Sequence, residues 1–257
     1  MRTLLLALTL ALVVSPYARA EDGLSARQIL DRSLDTEAIG FQSAEVGMTL
    51  LITDRGGQTR ERRMIIRGRR DDDRFAALVR VTGPAEVAGQ AYLFRENPGA
   101  TDDVFVYLPA IDEAPRRIAG AQRNSSFMGT NFTYADLQRR DMRDAQATRQ
   151  PNETVGRFET YVIDVTPTAG ADVDYARARL WIRTTDDVPL RIRFFDRQGA
   201  ELRTMFTEQT GTTGNRTYIR RLTLRDRDGS STTMIIDHID DSARMDAAEF
   251  TPDNLTR

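Results

Sequence analysis

The chain has 257 residues, with 36 lysine or arginine side chains against 38 acidic ones and a formal net charge of −2. All the basic residues counted here are arginine, since the sequence contains no lysine, and it contains no cysteine. The slightly acidic balance argues against a nucleic-acid-binding domain, which needs positive charge. The absence of cysteine excludes a disulfide framework and a lipidated cysteine. We therefore expect no nucleic-acid partner.

The N-terminal segment MRTLLLALTLALVVSPYARA has the features of a secretory signal peptide. Arg2 precedes an apolar run over residues 4–14, and Ala18 and Ala20 stand at the small-residue positions of an A-x-A cleavage site. The run is too short to span a membrane, which takes about 20 residues; an uncleaved anchor is the alternative. We expect cleavage after Ala20, a periplasmic protein and a single domain over residues 21–257.

The first predicted element of the mature chain is a helix over residues 25–37. Ser25 can cap this helix, and Gln28, three residues on, can complete a capping box. The apolar residues of the segment share one face: Ala26, Ile29, Leu30 and Leu34. The pattern predicts an amphipathic helix.

From residue 45 onward, apolar residues recur with the period of two that is typical of half-buried β-strands. Strands are predicted over 45–54, 58–68, 75–81 and 90–95, as a hairpin over 103–120, and then over 158–165, 176–183, 190–197, 201–208, 216–225 and 231–239. Residues 139–154 lack a clear period and are interpreted as a break at the midpoint. The pattern predicts a mainly β protein, an antiparallel meander of about eleven or twelve strands that curls or closes.

Two strands of the second half indicate which face of this sheet is buried. In 176–183 and 190–197, arginine alternates with apolar residues. The residues expected on the apolar, inner face include Ala178, Leu180, Ile182, Leu190, Ile192 and Phe194. We expect Arg179 and Arg191 to be largely exposed on the opposite face. Two short helices, over 25–37 and 133–140, can cover only part of a wide inner face, so the remainder is expected to be a cavity.

Residue patterns of catalysis are sparse. The single histidine, His238, lies beside Asp237 and could act as a base for a distant serine, although an ordinary polar position near a strand end is the simpler interpretation. Paired acids such as Asp186-Asp187 fall where turns are expected. Residues 226–229 resemble part of a calcium loop without its remaining ligands. We expect no enzymatic activity, no cofactor and no metal.

One segment, VFVYLPAIDEAPRRIAGAQRNSSFMGTNFTYADL over residues 104–137, closely resembles the outer-membrane lipoprotein-sorting protein family of the LolA-like superfamily. The matching motifs are Tyr107-Leu108-Pro109, Arg116-Arg117-Ile118, Ser126-Phe127-Met128-Gly129, Phe132-Thr133-Tyr134 and Asp136-Leu137. The ending Phe250-Thr251-Pro252, followed by Leu255, is also similar to the end of that family. By the order of its elements, the resemblance spans nearly all of the mature chain.

The resemblance implies an unclosed (half) antiparallel β-barrel of about eleven strands with a helical lid over an apolar cavity. Related carriers use such a cavity to shelter acyl chains in the periplasm. It also implies lipid or lipoprotein acyl chains as the cargo and an inner-membrane transporter of the resistance-nodulation-division type as a partner. An arginine latches the lid of the LolA carrier, and Arg69 and Arg70 are loosely positioned candidates here. We expect a monomer.

The candidate lipid-binding residues are the apolar side chains expected at the cavity and its lid. Phe127, Met128, Phe132 and Tyr134 are interpreted as the lid and rim, with Gly129 allowing a turn; the alternative is that these rings are ordinary core. The expected cavity residues are Met48, Leu50, Val106, Leu108, Leu180, Ile182, Leu190, Ile192 and Phe194.

Three functions remain open from the sequence. The first is a carrier of lipid or lipoprotein acyl chains toward the outer membrane. The second is an envelope assembly factor or transporter accessory that acts by protein contact. The third is a lipid hydrolase that depends on His238.

Overall fold

The computed structural model describes residues 23–37, 43–71, 74–97, 100–137, 140–171, 173–214 and 216–257. The predicted signal peptide and its cleavage site lie outside these residues and stay predictions. Within the described ranges, no helix is long and apolar enough to cross a membrane.

Helix α1 spans Ala26–Glu37, and the short helix α2 spans Arg140–Arg143. The predicted capping box of α1 is confirmed, because the Gln28 side chain accepts from the Ser25 N–H at 2.9 Å and the Ser25 hydroxyl accepts from the Gln28 N–H at 3.2 Å. Further 3₁₀ helices lie at Gly120–Asn124, Ala247–Glu249 and Pro252–Thr256.

The strands of the described chain form one antiparallel sheet of thirteen strands. Their bounds are β1 Ser43–Thr53, β2 Thr59–Asp71, β3 Arg74–Gly83, β4 Ala91–Arg95, β5 Asp103–Tyr107, β6 Arg116–Ile118, β7 Gln146–Val155, β8 Phe158–Thr166, β9 Arg177–Arg183, β10 Pro189–Phe195, β11 Glu201–Thr213, β12 Arg216–Asp226 and β13 Ser231–Asp240.

The strand order places the first and last strands side by side in the middle of the sheet. It runs β6-β5-β4-β3-β2-β1-β13-β12-β11-β10-β9-β8-β7, so that β1 pairs with β13 while β6 and β7 form the edges. The sheet is therefore unclosed, as the sequence resemblance implied. Residues 119–145, here called the connector, join one edge strand to the other.

Two details of the sequence prediction are wrong. The strand β7 was missed because it contains Pro151 and Asn152 at a bulge between Gln150 and Glu153, and because its side chains are mostly exposed. Proline is tolerated there since β7 is an edge strand. The helix predicted over 133–140 is not continuous: residues 134–137 form a turn, and α2 begins at residue 140.

The face that carries the cavity described below, the inner face, holds two buried apolar clusters. The α1 cluster packs α1 against the half of the sheet that includes β8–β12, and contains Ile29, Leu30, Leu34, Phe132, Ala145, Tyr161, Ile163, Val165, Tyr175, Ala178, Leu180, Ile182, Ile192, Phe194, Leu222 and Leu224. The β1–β6 cluster contains Val46, Met48, Leu50, Met64, Val79, Val81, Tyr92, Val104, Val106, Ile118, Phe127, Tyr134 and Ile236. Met234 packs against both clusters and joins them.

The C-terminal segment covers part of the opposite, outer face. Phe250 and Leu255 are 5% and 1% exposed and pack with Leu78 and Leu93 of β3 and β4. The carbonyl of Asn254 also accepts a hydrogen bond from the guanidinium of Arg80. The ending that carries part of the family resemblance therefore seals the outer side of these strands.

The arginines of the outer face are less exposed than the sequence pattern predicts. The faces themselves are assigned correctly, since Ala178, Leu180 and Ile182 lie in the α1 cluster. However, the Arg179 side chain is only 31% exposed and pairs with Asp164 at 2.7 Å. Arg191 is half-buried and stacks over the ring of Trp181, 5.5 Å from its centroid. Planar guanidinium groups lie flat on rings and carboxylates, so this face is covered rather than fully wet.

This pairing generates a pH-dependence for Asp164. Burial raises the pKa of its carboxyl, but hydrogen bonds and charge from Arg179 and Arg177 outweigh burial and hold the pKa below its ordinary value. A folded-state pKa below the unfolded value of about 3.9 stabilises the fold above that pH, and this stability is lost as pH falls through the folded pKa. We expect Asp164→Asn to lower the free energy of unfolding by roughly 1–3 kcal/mol at neutral pH.

Urea unfolding at neutral and acidic pH measures this contribution. The wild type should lose more stability on acidification than Asp164→Asn, because the variant has already lost the titrating pair. Asp31→Asn, which removes a 45%-exposed carboxylate paired with Arg27 one helical turn away, is the control and should change stability by no more than about 0.5 kcal/mol. Equal acid sensitivity of wild type and Asp164→Asn would contradict the assignment.

Candidate functional site

The connector carries its aromatic rings to both apolar clusters. Phe127 packs in the β1–β6 cluster with its ring centroid 4.8 Å from that of Tyr92 and 5.6 Å from that of Tyr134. Phe132, five residues further on, packs in the α1 cluster. The three connector rings are 5–9% exposed. The apolar residues concentrated in this stretch therefore tie the two halves of the inner face together.

A tight hairpin turns the connector between these rings. The Phe127 N–H donates to the Phe132 carbonyl at 2.7 Å, and the Thr130 N–H donates to the Phe127 carbonyl at 2.9 Å. The two central residues, Met128 and Gly129, have φ values of 53° and 72°. Positive φ at both positions is what a type I′ turn requires, and glycine adopts it without strain. The role predicted for Gly129 is confirmed.

The tip of the hairpin is fixed to the β12–β13 turn by Asn131. Its amide nitrogen donates to Asp226 at 2.6 Å and to the Ser230 hydroxyl at 2.8 Å. The hydroxyl of Thr232, a fully buried residue, accepts from the Asn131 backbone N–H at 2.9 Å and donates to its side-chain oxygen at 2.8 Å. Burial raises the pKa of the Asp226 carboxyl. These bonds hold the connector against the sheet.

A buried ion pair fixes the other end of the hairpin. The Arg203 side chain on β11 is 5% exposed and donates to both oxygens of Asp136, at 2.9 and 2.7 Å, and to Asp174 at 3.0 Å. Burial opposes its charge, but Asp136 and Asp174 raise the pKa of the guanidinium above its ordinary value. Thr133 and Asp136 cap each other's backbone N–H groups. Arg203 therefore anchors the connector to the sheet.

Sequence reasoning missed Arg203. A signal existed: within the predicted strand 201–208, Arg203 shares the parity of Met205, which faces inward. An arginine on an apolar face calls for a buried carboxylate partner. The loosely proposed latch candidates do something else, because Arg69 binds Asp71 and the Met245 carbonyl while Arg70 lies 3.6 Å from Glu96.

A cavity of about 340 Å³ opens on the inner face between the connector and the sheet. Its wall is largely apolar and is formed by Met48, Leu50, Met64, Ile66, Phe75, Ala77, Val79, Phe94, Phe127, Phe132, Leu137, Met205, Tyr218, Ile219, Leu222, Met234 and Ile236. Five charged residues complete the lining: Arg95, Glu96, Asp102, Asp103 and Asp136. The site is an apolar groove with one group of polar side chains.

At two glycines of the sheet, an aromatic ring lies over the place that a side chain would occupy. A Cβ added to Gly211 would meet the ring of Tyr218 at 2.5 Å, and one added to Gly68 would meet the ring of Phe75 at 3.2 Å. Both rings line the cavity. Because each ring occupies the place of the missing side chain, it does not project into the open space.

The structure brings four of the predicted site residues to the cavity wall. These are Met48, Leu50, Phe127 and Phe132. The other predicted residues do not line the cavity. Val106 and Tyr134 are buried in the β1–β6 cluster, and Leu108 and Met128 pack against that cluster. The remaining residues lie in the second half of the chain: Leu180, Ile182, Ile192 and Phe194 are in the α1 cluster, and Leu190 is buried on β10. Within the α1 cluster, Leu180, Ile182, Ile192 and Phe194 are 0–8% exposed and pack with residues of α1. Their assignment as lipid contacts stays a prediction.

Most of the cavity wall was not named as a site from the sequence. Phe75, Ala77 and Val79 lie in the predicted strand 75–81 but were not assigned to the site, and Met64, Met205 and Met234 were not singled out. Period-two alternation assigns residues to a face, but it does not indicate which part of that face the connector leaves open.

The candidate catalytic residue His238 lies away from the cavity. It pairs with Gly47 across β1 and β13, and its ring occupies the position of the absent Gly47 side chain on the outer face, opposite to Met48. Among the residues that the structure describes, no serine hydroxyl bonds to it. The described residues also contain no group of three or more histidine, cysteine or acidic side chains that could hold a metal ion.

The buried pair of Arg203 and Asp136 generates a stability prediction. Replacing Arg203 by methionine leaves Asp136 without its cation, and removing one partner of a buried pair costs about 3–5 kcal/mol. We expect Arg203→Met to lower the free energy of unfolding by about that amount in urea titrations. Asp174→Asn touches the same guanidinium from a position 46% exposed and should cost less than about 1 kcal/mol. Similar losses for the two variants would contradict the anchoring role.

Comparison with known proteins identifies a matching family model and solved structures of similar fold. Residues 73–257 match the model of a protein family described as uncharacterized protein-like. No curated protein matches the sequence. Among solved structures, an outer membrane lipoprotein-sorting protein domain from Vibrio parahaemolyticus is similar, with a TM-score of 0.80, 21% identity, and coverage of 89% of this chain and 98% of that chain.

Two further solved structures share the fold. A DUF1329 family protein from Desulfovibrio piger has a TM-score of 0.81 and 22% identity, covering 90% of this chain and 99% of that chain. A LolA superfamily protein from Nitrosomonas europaea has a TM-score of 0.70 and 19% identity, covering 90% of this chain and all of the other. The resemblance expected from residues 104–137 is thereby confirmed in the fold. The chain belongs to the uncharacterized protein-like family whose model covers residues 73–257, and it has the LolA-like fold of the lipoprotein-sorting proteins.

Proposed function

We propose that the protein is a periplasmic carrier that takes an acyl chain of a lipid or lipoprotein into the inner-face cavity and moves it toward the outer membrane. The observation that carries this proposal is the cavity of about 340 Å³ with seventeen apolar or aromatic side chains on its wall. This volume lies at the lower end of the range of about 300–1,000 Å³ for small-molecule sites. It suits one acyl chain.

The composition of the wall fits a cargo that must be bound and released. Each methylene group transferred from water into an apolar site contributes about 0.8 kcal/mol, so a chain needs an apolar groove rather than a reactive group. Four of the lining residues are methionine: Met48, Met64, Met205 and Met234. Methionine adapts to irregular shapes, which suits chains of varied length.

The shared fold supports the same function by analogy. Two proteins of similar fold are named as an outer membrane lipoprotein-sorting domain and a LolA superfamily protein. A carrier role agrees with the predicted signal peptide and with a periplasmic location. The position of His238 on the outer face, away from the cavity, speaks against the hydrolase that depends on it.

The direct test is to identify the molecules that are bound to the protein when it is purified from its own cell. We expect protein purified from the periplasm without detergent to carry acyl lipids, detected by extraction and mass spectrometry at near-stoichiometric amounts. Protein that is empty and binds no fluorescent acyl probe, but that co-purifies with an inner-membrane transporter of the resistance-nodulation-division type, would contradict the carrier and favour the accessory role.

The glycine beneath Tyr218 offers a test that changes the cavity without touching its apolar character. In Gly211→Ala, the new methyl group must displace the Tyr218 ring, since the two would otherwise lie 2.5 Å apart. The lifted ring then occupies cavity space. We expect affinity for a fluorescent acyl probe to fall about tenfold, equivalent to about 1.4 kcal/mol, while stability changes by less than about 1 kcal/mol.

Gly47→Ala is the matched control. Its methyl group would meet the ring of His238 at 2.2 Å, so the same substitution displaces a ring on the outer face of the same sheet. Probe affinity should stay at the wild-type value. If both variants weaken probe binding equally, the effect comes from the sheet as a whole and the cavity is not the binding site.

A further inference from the structure

The charged residues of the cavity lining are concentrated at one end of the sheet. Arg95 ends β4 and Asp103 begins β5, and the two are register partners. Glu96 and Asp102 are their neighbours in sequence, and Glu96 accepts from the Phe75 N–H at 3.1 Å at the start of β3. The apolar wall therefore has a polar end, formed around the turn between β4 and β5.

Carboxylates dominate this polar end on the cavity side. The described lining contains four carboxylates, those of Glu96, Asp102, Asp103 and Asp136, against the guanidinium of Arg95. The other cations that neutralise these acids do not line the cavity: Arg70 lies 3.6 Å from Glu96, Arg117 lies 2.5 Å from Asp103, and Arg203 binds Asp136. A bound molecule thus meets the acids, while most of the compensating charge lies behind them.

Asp103 shows how firmly this charge is held. Although burial raises its pKa, hydrogen bonds from Asn97 and Arg95 together with the charge of Arg117 keep the pKa below its ordinary value. Its carboxyl is therefore ionised at neutral pH.

Asp102 is the unusual member of the group. It is only 8% exposed and lines the cavity, and its Oδ1 accepts from the Asn97 N–H at 3.0 Å. Within the part of the chain that the structure describes, no guanidinium lies within ion-pair distance of this carboxylate, and Oδ2 receives no hydrogen bond. Its single hydrogen bond leaves Oδ2 able to accept from a further donor. A donor on the cargo would satisfy it.

We infer that the cavity selects amphiphiles whose polar end is an ammonium group, with Asp102 as the carboxylate that recognises it. This inference rests on the proposed carrier function and specifies its cargo. An ammonium group supplies a positive charge and hydrogen-bond donors to Asp102, which has no cationic partner among the described residues. A carboxylate or phosphate end meets like charge and is disfavoured.

Competition among amphiphiles with one common chain tests the preference. Dodecylamine, dodecanol and dodecanoic acid, each kept monomeric, are titrated against a neutral fluorescent acyl probe at neutral pH and low salt, where charge is least screened. We expect the amine to displace the probe at the lowest concentration and the acid at the highest, with about a tenfold or larger ratio between them. Equal displacement by all three would overturn this inference and leave the carrier function standing. Displacement by none of them would overturn the carrier function itself.

Asp102→Asn assigns the preference to one residue while keeping the shape of the side chain. The affinity for dodecylamine relative to that for dodecanoic acid should fall about tenfold. The affinity for dodecanol should stay unchanged. The control is Asp112→Asn, which removes a carboxylate that also accepts a backbone N–H, from Leu108 at 2.9 Å, but does not line the cavity. A wild-type ratio in Asp102→Asn, or an equal fall in Asp112→Asn, would overturn the role of Asp102. Because the ranking of the three competitors is measured on the wild type, the preference is testable even if a variant fails to fold.

Discussion

An open antiparallel sheet must leave two edges, and in this protein both edges belong to strands that are consecutive in the chain. Since β1 pairs with β13 in the middle of the sheet, β6 and β7 are left at opposite ends, and the connector has to run between them. A segment that crosses an apolar face must satisfy its own backbone polar groups. The hairpin does this with its internal hydrogen bonds, and Asn131 and Asp136 bind it to the sheet. The position of the cavity follows from this path.

The cavity persists because the surrounding elements cannot collapse into it. The strands are fixed by their hydrogen-bond ladders, and the connector sends Phe132 to one cluster and Phe127 to the other. The rings that lie over Gly68 and Gly211 form part of the cavity wall.

The use of arginine alone as the strongly basic residue shapes the outer face. Arginine stacks on aromatic rings and pairs with carboxylates through a planar group, which lysine does not do equally well. The Arg177 guanidinium lies 4.0 Å from the centroid of the Phe195 ring. Trp181 donates to Glu153 at 2.7 Å, and Arg191 stacks over the Trp181 ring. Alternating arginine and apolar residues therefore produce a sheet that is packed on one face and covered by stacked cations on the other. The same chemistry, turned inward at Arg203, anchors the connector.

The sequence by itself determined most of the strands, their faces and the family resemblance, because each depends on local periodicity or on short motifs. Period two assigned Leu180 and Ile182 to the inner face, and the Ser25–Gln28 box marked the start of α1. The edge strand β7 was not predicted, because an edge strand tolerates proline and exposed residues and its sequence therefore lacks the strand period.

Only the tertiary structure decided which inner residues are core and which line open space. Leu180 and Met64 follow the same alternation, yet the first is buried in the α1 cluster while the second lines the cavity. That difference depends on the path of the connector across the face, and this path is set by contacts between residues far apart in the chain. Arg203 and Asp136 stand 67 positions apart. No local pattern encodes their meeting, because a long-range ion pair forms only when the fold brings β11 and the connector together.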